Sequence, residues 1–145
     1  MAITSAICNS FKQEILVGTH YFTASTGNTF KLALYTSSAT LGASTTAYSA
    51  TNEITNTAGS AYSAGGNTLT SVTPVLDSST AVCDFSDVSW TSATFTANGA
   101  LIYNSSQSNK AVCAIAFGGD KTATNGTFTV QFPTADASNA IIRIA

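Results

Sequence analysis

The sequence NGTFTVQF, residues 125–132, contains the pattern that decides the fold. After the Asn-Gly pair, which favours a tight turn, polar and apolar residues alternate strictly. Phe128, Val130 and Phe132 are expected to face a core, and the residues between them are expected to face solvent. A period of two is typical of a half-buried β-strand. The stretch therefore predicts a sheet that packs one of its faces against a core.

The same alternation recurs along most of the chain. Residues 29–35 read TFKLALY and predict a strand with Phe30, Leu32 and Leu34 on one face. Further strands are predicted over residues 67–76 (broken late by Pro74), 80–90 (with a bulge at Ser86 and Asp87), 94–103, 110–117 and 140–144. Polar turns are predicted over residues 104–109 and 118–120. We therefore expect an all-β fold, an antiparallel β-sandwich or a jelly roll of about seven to eight strands.

The N-terminal segment has a different period. An apolar residue recurs every four positions, at Ile3, Ile7, Phe11 and Ile15. This spacing predicts one α-helix over about residues 3–18, with Leu16 widening its apolar stripe. Thr4 or Ser5 is expected to cap its start, and Gly18 is expected to end it in a left-handed turn. A single stripe indicates one burial partner, the sheet that follows.

Length and charge restrict the class of protein. The chain has 145 residues, 44% of them hydrophobic and 8% charged, which predicts one domain over residues 1–145 with a β body over about residues 29–145. The net charge is −2 and the five basic residues are dispersed, so no nucleic-acid partner is expected. No apolar stretch approaches the roughly 20 residues of a membrane span. The start of the chain does not have the pattern of a secretory signal, and cysteines interpreted as reduced thiols fit folding in a cytosol.

Hydroxyl side chains dominate the composition. Thr contributes 24 residues and Ser 19, together 43 of 145. Thr suits the half-exposed face of a sheet, and Ser suits the turns between strands. A surface of hydroxyls in place of charges weakens repulsion between copies. The composition therefore favours a protein that packs against other subunits.

The three cysteines, Cys8, Cys83 and Cys113, are an odd number and form no Cys-x-x-Cys pair. Alternation places Cys83 and Cys113 on core-facing sides of strands, and Cys8 next to Ile7 on the helix. We interpret all three as small buried apolar residues. A disulfide between Cys83 and Cys113 is the alternative.

Residues that could support catalysis or bind a metal are few, and we expect neither an enzyme nor a cofactor. The single histidine, His20, follows the predicted helix, where packing or the helix dipole explains it better than catalysis. Asp84 and Asp87 lie three residues apart and are predicted to form a turn, with a calcium site as the alternative. A glycan hydrolase would need two essential acids among Asp84, Asp87 and Asp120.

Residues 36–64 form the segment with the least regular pattern, and a loop of this length is usually functional or reaches a neighbour. Tyr48, Ile54 and Tyr62 are its bulky side chains, and Tyr35 precedes it. Exposed tyrosines are enriched at protein interfaces and also stack on sugars. The alternative is partial burial, with the tyrosines covering the sheet.

Several segments, in their order along the chain, resemble a family of small virion structural proteins of tailed bacteriophages, including phages of cyanobacteria and other aquatic bacteria. The segments are residues 7–16 (ICNSFKQEIL), 29–36 (TFKLALYT), 62–66 (YSAGG), 88–90 (VSW), 100–104 (ALIYN) and 117–121 (FGGDK). The resemblance covers nearly the whole chain. It implies a component of the phage head or of its appendages, made and folded in the host bacterial cytoplasm, with no catalytic residue.

Within this family, the expected function is that of a capsid decoration (cement) protein on the outer surface of the head. Its expected partners are the major capsid protein and further copies of itself, as a homotrimer. The candidate contact regions are residues 36–64 and the residues before the helix, with the side chains of Ile3, Tyr35, Tyr48, Ile54 and Tyr62. The alternative is an adhesive protein of the tail, neck or fibres whose tyrosines bind host surface glycans.

Overall fold

The structure is a computed structural model that describes residues 2–55 and 59–145. About half of it is strand (48%) and 6% is helix, arranged as two antiparallel sheets with one short N-terminal helix. The elements are β1 (Ala6–Ile7), α1 (Asn9–Leu16), β2 (Phe30–Tyr35), β3 (Asn67–Thr68), β4 (Ser71–Asp77), β5 (Thr80–Phe85), β6 (Val88–Asn104), β7 (Lys110–Val130) and β8 (Ile142–Ile144). The predicted all-β class, with its sandwich architecture and single helix, is confirmed.

The larger sheet has five strands in the order β1-β7-β6-β2-β3, and the smaller sheet has the order β4-β5-β8. Residues 86 and 87 carry the chain from the smaller sheet to the larger one, so the predicted bulge in a single strand is wrong. The predicted break at Pro74 is also misplaced. The chain leaves β3 at residues 69 and 70, and Pro74, which has no N–H, lies at a register shift inside β4.

The long hairpin of β6 and β7 forms the centre of the larger sheet. Its register shifts at four places, one of which lies opposite residue 98. There Ala97 pairs with Lys121 and Gly99 pairs with Ala116, so residues 117–120 bulge out of the ladder. Gly118 and Gly119 provide the positive φ angles of this bulge. The hairpin turn predicted over residues 118–120 is therefore wrong, because β7 continues through it.

The helix is shorter than its apolar period predicts. Residues 6 and 7 are extended and pair with β7, Ile7 opposite Cys113, and the helix begins only at Asn9. The N-cap is Cys8, without a side-chain hydrogen bond, so neither Thr4 nor Ser5 caps it. Phe11 is its buried residue, whereas Leu16 is 86% exposed and lies off the packed face. Gly18, at φ +77°, ends the helix as predicted.

The two faces of the larger sheet have different covers. Phe30 of β2 packs 5.7 Å (ring centroids) from Phe85 of β5, which joins the two sheets in one core. The opposite face is covered by the segment after β2 and by the N-terminal residues. This segment bonds to the edges of the sheet through backbone groups, Ile54 N–H to Leu34 C=O at β2 and Ala111 N–H to Thr46 C=O at β7. Between these edges Tyr48 stacks on Tyr103 of β6, with 4.7 Å between the ring centroids. Residues 36–55 thus act as a second cover of the sheet.

Candidate functional site

The five side chains predicted to make contacts do not form an exposed surface. Tyr35 and Tyr62 are each 1% exposed and Ile54 is 5% exposed, so all three belong to the core. Tyr48 and Ile3 are half-buried. The expectation of exposed tyrosines at positions 35 and 62 is wrong, and the alternative of tyrosines that cover the sheet describes them. Residues 56–58 of the predicted contact loop lie outside the described residues.

These tyrosines surround a buried carboxylate, Glu53, which the sequence interpretation did not single out. Tyr62 donates its O–H to Glu53 Oε1 (2.5 Å), as does the Gly65 N–H (2.6 Å), and Tyr48 donates to Oε2 (2.7 Å). The main chain holds the carboxylate in place, since Glu53 forms an antiparallel bridge with Tyr35. A buried charge needs such partners, because charge-assisted hydrogen bonds offset the loss of hydration.

The same cluster attaches the covering segment to the sheet. The Tyr62 oxygen accepts the Leu34 N–H (3.0 Å), so one hydroxyl joins Glu53 to β2. Tyr35 donates to the Ser49 carbonyl (2.8 Å), and Tyr103 of β6 donates to the Gly65 carbonyl (2.7 Å). Tyr62 therefore acts as both donor and acceptor at the centre of a closed network.

The electrostatics of the cluster keep these phenols protonated. Burial, followed by the nearby Glu53 carboxylate, raises the pKa of Tyr103 to about 12. The same two causes raise the pKa of Tyr35, and with the hydrogen bond to Glu53 they raise the pKa of Tyr48 and Tyr62. A phenol held protonated against a carboxylate acts as a hydrogen-bond donor. This cluster is thus suited to holding a loop.

The sequence contained one signal that could have identified Glu53. It is the only charged residue between Lys31 and Asp77, a segment that also contains three of the five tyrosines. An isolated acid among tyrosines in an otherwise uncharged segment fits a carboxylate with phenolic donors. The signal is weak, since the same composition also fits an exposed loop.

His20 lies in a second buried network, which meets β6 at Asn104, the residue after Tyr103. Its Nε2 is 2.6 Å from Glu14 Oε2, its Nδ1 is 3.0 Å from Asn104 Nδ2, and its side chain is fully buried. Lys110 Nζ lies 3.4 Å from the other Glu14 oxygen. The Phe11 ring packs 4.8 Å from the imidazole. The histidine thus ties the helix to the β6–β7 turn.

Two backbone donors determine the tautomer of His20. Asn104 Oδ1 accepts the Ser106 N–H, so Asn104 Nδ2 must face the imidazole. Asn28 Oδ1 accepts the Tyr21 N–H and the second Asn104 Nδ2 proton. Nδ1 is therefore an acceptor, and Nε2 carries the proton that it donates to Glu14. The ring is thus held between a carboxylate and a side-chain amide.

The acidic residues predicted as turn formers, cation ligands or catalytic acids lie in different segments and have different partners. Asp87 Oδ1 accepts the Phe132 N–H (2.9 Å) where the chain enters the larger sheet. Asp120 accepts from Asn98 (2.9 Å) at the bulge of β7, and Asp84 lies within β5. Within residues 2–55 and 59–145, no three His, Cys, Asp or Glu side chains are grouped as metal ligands.

All three cysteines are buried and free, as the interpretation of small core residues predicted. Burial raises the pKa of Cys8 to about 11 and that of Cys83 to about 12, with smaller contributions from Glu14 and Asp84 respectively. Burial also raises the pKa of Cys113. Thiols of this kind are poor nucleophiles.

Ile3, the candidate contact residue at the N-terminus, packs into the space above Gly99 of β6. It forms a parallel bridge with Leu41. A Cβ added at Gly99 would lie 2.7 Å from Ile3 Cδ1 and 2.6 Å from the Ile115 carbonyl oxygen. The close approach of the N-terminal segment to β6 therefore requires glycine at position 99. Ile3 packs against the sheet of its own chain.

The exposed surface contains many hydroxyls and few charges. On the outer half of the β6–β7 hairpin, the side chains that face solvent are Ser89, Thr91, Thr94, Thr96, Thr122, Thr124, Thr127 and Thr129, which we call the hydroxyl face. Two of its pairs are hydrogen-bonded across the strands, Ser89 to Thr129 and Thr96 to Thr122, both at 2.8 Å. Elsewhere, Leu16, Leu76 and Ile144 are more than half exposed.

Beside the outer edge of β7 lies a groove of about 610 Å³. Its walls include Phe117, Phe128, Phe132 and Ile141, and Lys121 lies at its rim. The sequence predicted Phe128 and Phe132 as inward-facing residues but did not predict a groove there. Alternation distinguishes the two faces of a strand and not its edges, so it did not indicate this groove.

Comparison of the chain with protein-family models, with curated proteins and with solved structures gives no match. Within the described residues, no helix combines the length and the apolar character needed to cross a membrane.

Proposed function

We propose that this chain is a structural protein of a tailed-phage virion that binds the outside of the head and stabilises the capsid lattice. In this proposal it acts as a decoration (cement) protein with the major capsid protein and further copies of itself as partners, in trimers at threefold positions. It performs no catalysis and needs no cofactor. It is made in the host bacterial cytoplasm and functions on the head surface.

The hydroxyl face is the observation that carries the proposal. It presents neutral hydrogen-bonding groups on a regular hairpin and lacks the charged residues that are depleted from the cores of protein interfaces. Because it lacks charge, neighbouring copies do not repel one another at close spacing. Contacts that are weak individually add up when a lattice repeats them many times.

The buried clusters support a mechanical role. Glu53 with its tyrosines holds the covering segment, and His20 with Glu14 and Asn104 holds the helix. Both networks join elements that are distant in sequence. A protein that bridges capsid subunits under internal pressure benefits from such cross-links, which resist local opening.

The adhesive alternative loses predicted contact tyrosines that the head proposal had also used. Tyr35 and Tyr62 are buried, and Tyr48 donates to Glu53. Tyr21, 51% exposed, is the tyrosine with the most accessible ring. A glycan array probed with the isolated protein tests this alternative. Specific sugar binding that is lost in Tyr21→Ala would favour it over the head proposal.

Copy number per virion is the test of the proposed function. Quantitative protein gels of purified virions compare this chain with the major capsid protein. A count in the hundreds, or a ratio near one to one, is the expected result. A count of a few to a few dozen would place the chain at the neck, tail or fibres and contradict the proposal.

A further inference from the structure

The outer edge of β7 is an open strand edge. On its inner side β7 pairs with β6 along nearly its whole length, but on its outer side its strand partner among the described residues is β1, which reaches only Cys113 and Ala114. From residue 117 to Val130, the described chain provides no strand beside that edge. The groove of about 610 Å³ runs along it and is lined by residues 126–133.

The backbone groups at this edge can be assigned from two contacts. Phe132 donates its N–H toward β6, to Asp87 Oδ1. Because successive N–H groups of a strand point to opposite sides, those of Thr129 and Gln131 point to the free edge. The 2.8 Å contact between the Ser89 and Thr129 hydroxyls agrees, since side chains approach most closely in pairs without backbone hydrogen bonds.

Natural sheets protect an open edge with charge, proline or a bulge. Here such features lie at the two ends of the edge: Asp120, Lys121 and the bulge over residues 117–120 at one end, and Pro133 at the other. Residues 122–132 contain no charged residue and no proline. Within them, TFTVQF (residues 127–132) combines high β propensity with alternating apolar side chains. A segment of this composition pairs readily with an identical segment. A second copy is also the one partner present whenever the chain folds.

We propose that two copies of this chain pair through β7, antiparallel and about a two-fold axis at Thr129. In this register Thr129 faces itself, Thr127 faces Gln131 of the partner subunit, and Phe128 faces Val130 of the partner subunit. In each pair the two residue numbers are both odd or both even, so the paired side chains lie on the same face. Apolar side chains therefore meet on the groove side, and hydroxyls meet on the outer side. A register that paired odd with even numbers would place Phe128 opposite a hydroxyl.

Charge at the two ends of the segment agrees with the antiparallel direction. Lys121 precedes the uncharged segment and Asp136 follows it, about equally far from Thr129. Antiparallel pairing directs the basic end of one copy to the acidic end of the other. The Asp120 carboxylate accepts from Asn98 on the β6 side, and the Asp136 carboxylate accepts the Ser138 and Asn139 N–H groups of its own turn, so of these three side chains Lys121 is the one that lines the groove. Parallel pairing would bring equal charges together.

The pairing goes beyond the proposed function, because it holds wherever the protein lies in a virion. It is also compatible with trimers. Trimers at threefold positions that join edges across two-fold axes would form a continuous net.

Cross-linking tests the register. In an antiparallel pair with two backbone hydrogen bonds, the Cα atoms lie about 5.5 Å apart, within the range of a disulfide. Mild oxidation of Thr129→Cys should therefore give a covalent dimer, since the natural thiols are buried. The matched control is Thr91→Cys, also exposed on the hydroxyl face but on β6, and it should stay uncross-linked.

Sedimentation equilibrium tests the association itself. The unmodified protein should dimerise, and Thr129→Lys, which places two lysines opposite each other, should weaken dimerisation at least 10-fold, whereas Thr91→Lys should not. Amide hydrogen exchange should show protection of Thr129 and Gln131 that Thr129→Lys removes. A monomer at all concentrations, or equal cross-linking of both cysteine variants, would overturn the pairing. Either result would leave the copy-number test of the head proposal unaffected, and a low copy number would leave the pairing unaffected.

Discussion

Removing the Glu53 carboxylate should destabilise the protein more than most surface substitutions, because three donors converge on it. Glu53→Ala leaves the Tyr62 O–H, the Gly65 N–H and the Tyr48 O–H without their acceptor. Tyr48 is half-buried and can turn to water, so the other two donors bear the cost. A buried donor without a partner costs about 1–3 kcal/mol, which gives about 4 kcal/mol for the pair.

Glu53→Gln is the matched control of nearly equal shape. Its carbonyl oxygen can take the place of Oε1 and keep both buried donors, and the Tyr48 oxygen can accept from the new amide. We expect a loss of about 1 kcal/mol for this variant. Both variants lose the negative charge, so the difference between their unfolding free energies reports the loss of the acceptors alone.

Urea unfolding followed by tryptophan fluorescence measures both variants. Trp90 is the only tryptophan, and its ring lies 6.1 Å from that of Tyr62, so it reports on this cluster. With a slope near 2 kcal/mol per molar urea, Glu53→Ala should lower the midpoint by about 2 M. If Glu53→Ala does not fold, Tyr62→Phe should still lose about 2 kcal/mol, because it leaves the buried Leu34 N–H unpaired.

Two outcomes would refute this account. A loss below about 1 kcal/mol in Glu53→Ala would mean that water replaces the carboxylate as the acceptor for these donors. Equal losses in the Ala and Gln variants would mean that the negative charge matters and the number of acceptors does not.

Three further predictions concern the tyrosines, the glycines and the thiols. Hydrogen bonds to threonines lower the pKa of Tyr21, so in an alkaline titration followed by phenolate absorbance Tyr21 should ionise while the protein is folded. The other four tyrosines should ionise only on unfolding. Since those four pKa values are raised by folding, their stabilising contribution should be complete below about pH 10 and should be lost as the pH rises further; an unchanged stability up to pH 12 would contradict this. Gly66→Ala should prevent folding or lower the unfolding free energy by about 4 kcal/mol or more, because its Cβ would lie 1.8 Å from the Leu32 carbonyl oxygen. Gly18 has a similar φ but open space around it, so Gly18→Ala should cost about 1–2 kcal/mol in the same urea assay. Equal losses would show that φ alone matters. The three thiols should react with a thiol reagent only after denaturant is added, and a fast-reacting thiol in the native protein would contradict their burial.

The spacing of apolar residues predicted individual strands. The alternation at Phe30, Leu32 and Leu34 identified β2, and that at Phe128 and Val130 identified the end of β7. The helix was overextended because Ile3 and Ile7, four residues apart, fall on one side of an extended segment as well as on one side of a helix. In the structure Ile3 bridges Leu41 and Ile7 pairs with β7. A short apolar series does not distinguish these two conformations.

The interior of the candidate site was not predictable in the same way. Exposure of Tyr35 and Tyr62 depends on what covers the outer face of β2, and that cover is a segment with no period of its own. Its position is set by hydrogen bonds to Glu53, which join residues separated in sequence. Local patterns carry no information about such pairings. The same holds for the buried link from His20 to Asn104.

The pairing of Ile7 with Cys113 has a consequence for synthesis on the ribosome. β1 is made well before its partner, since β2 to β6 lie between β1 and β7 in the sequence. At about 5–20 residues per second, the N-terminal segment waits roughly 5–20 s for β7 to emerge. During that interval Phe11 has no sheet to cover it, so the nascent chain exposes an apolar stripe that a chaperone could bind. Completion of the fold is therefore delayed until the C-terminal part of the chain has been made.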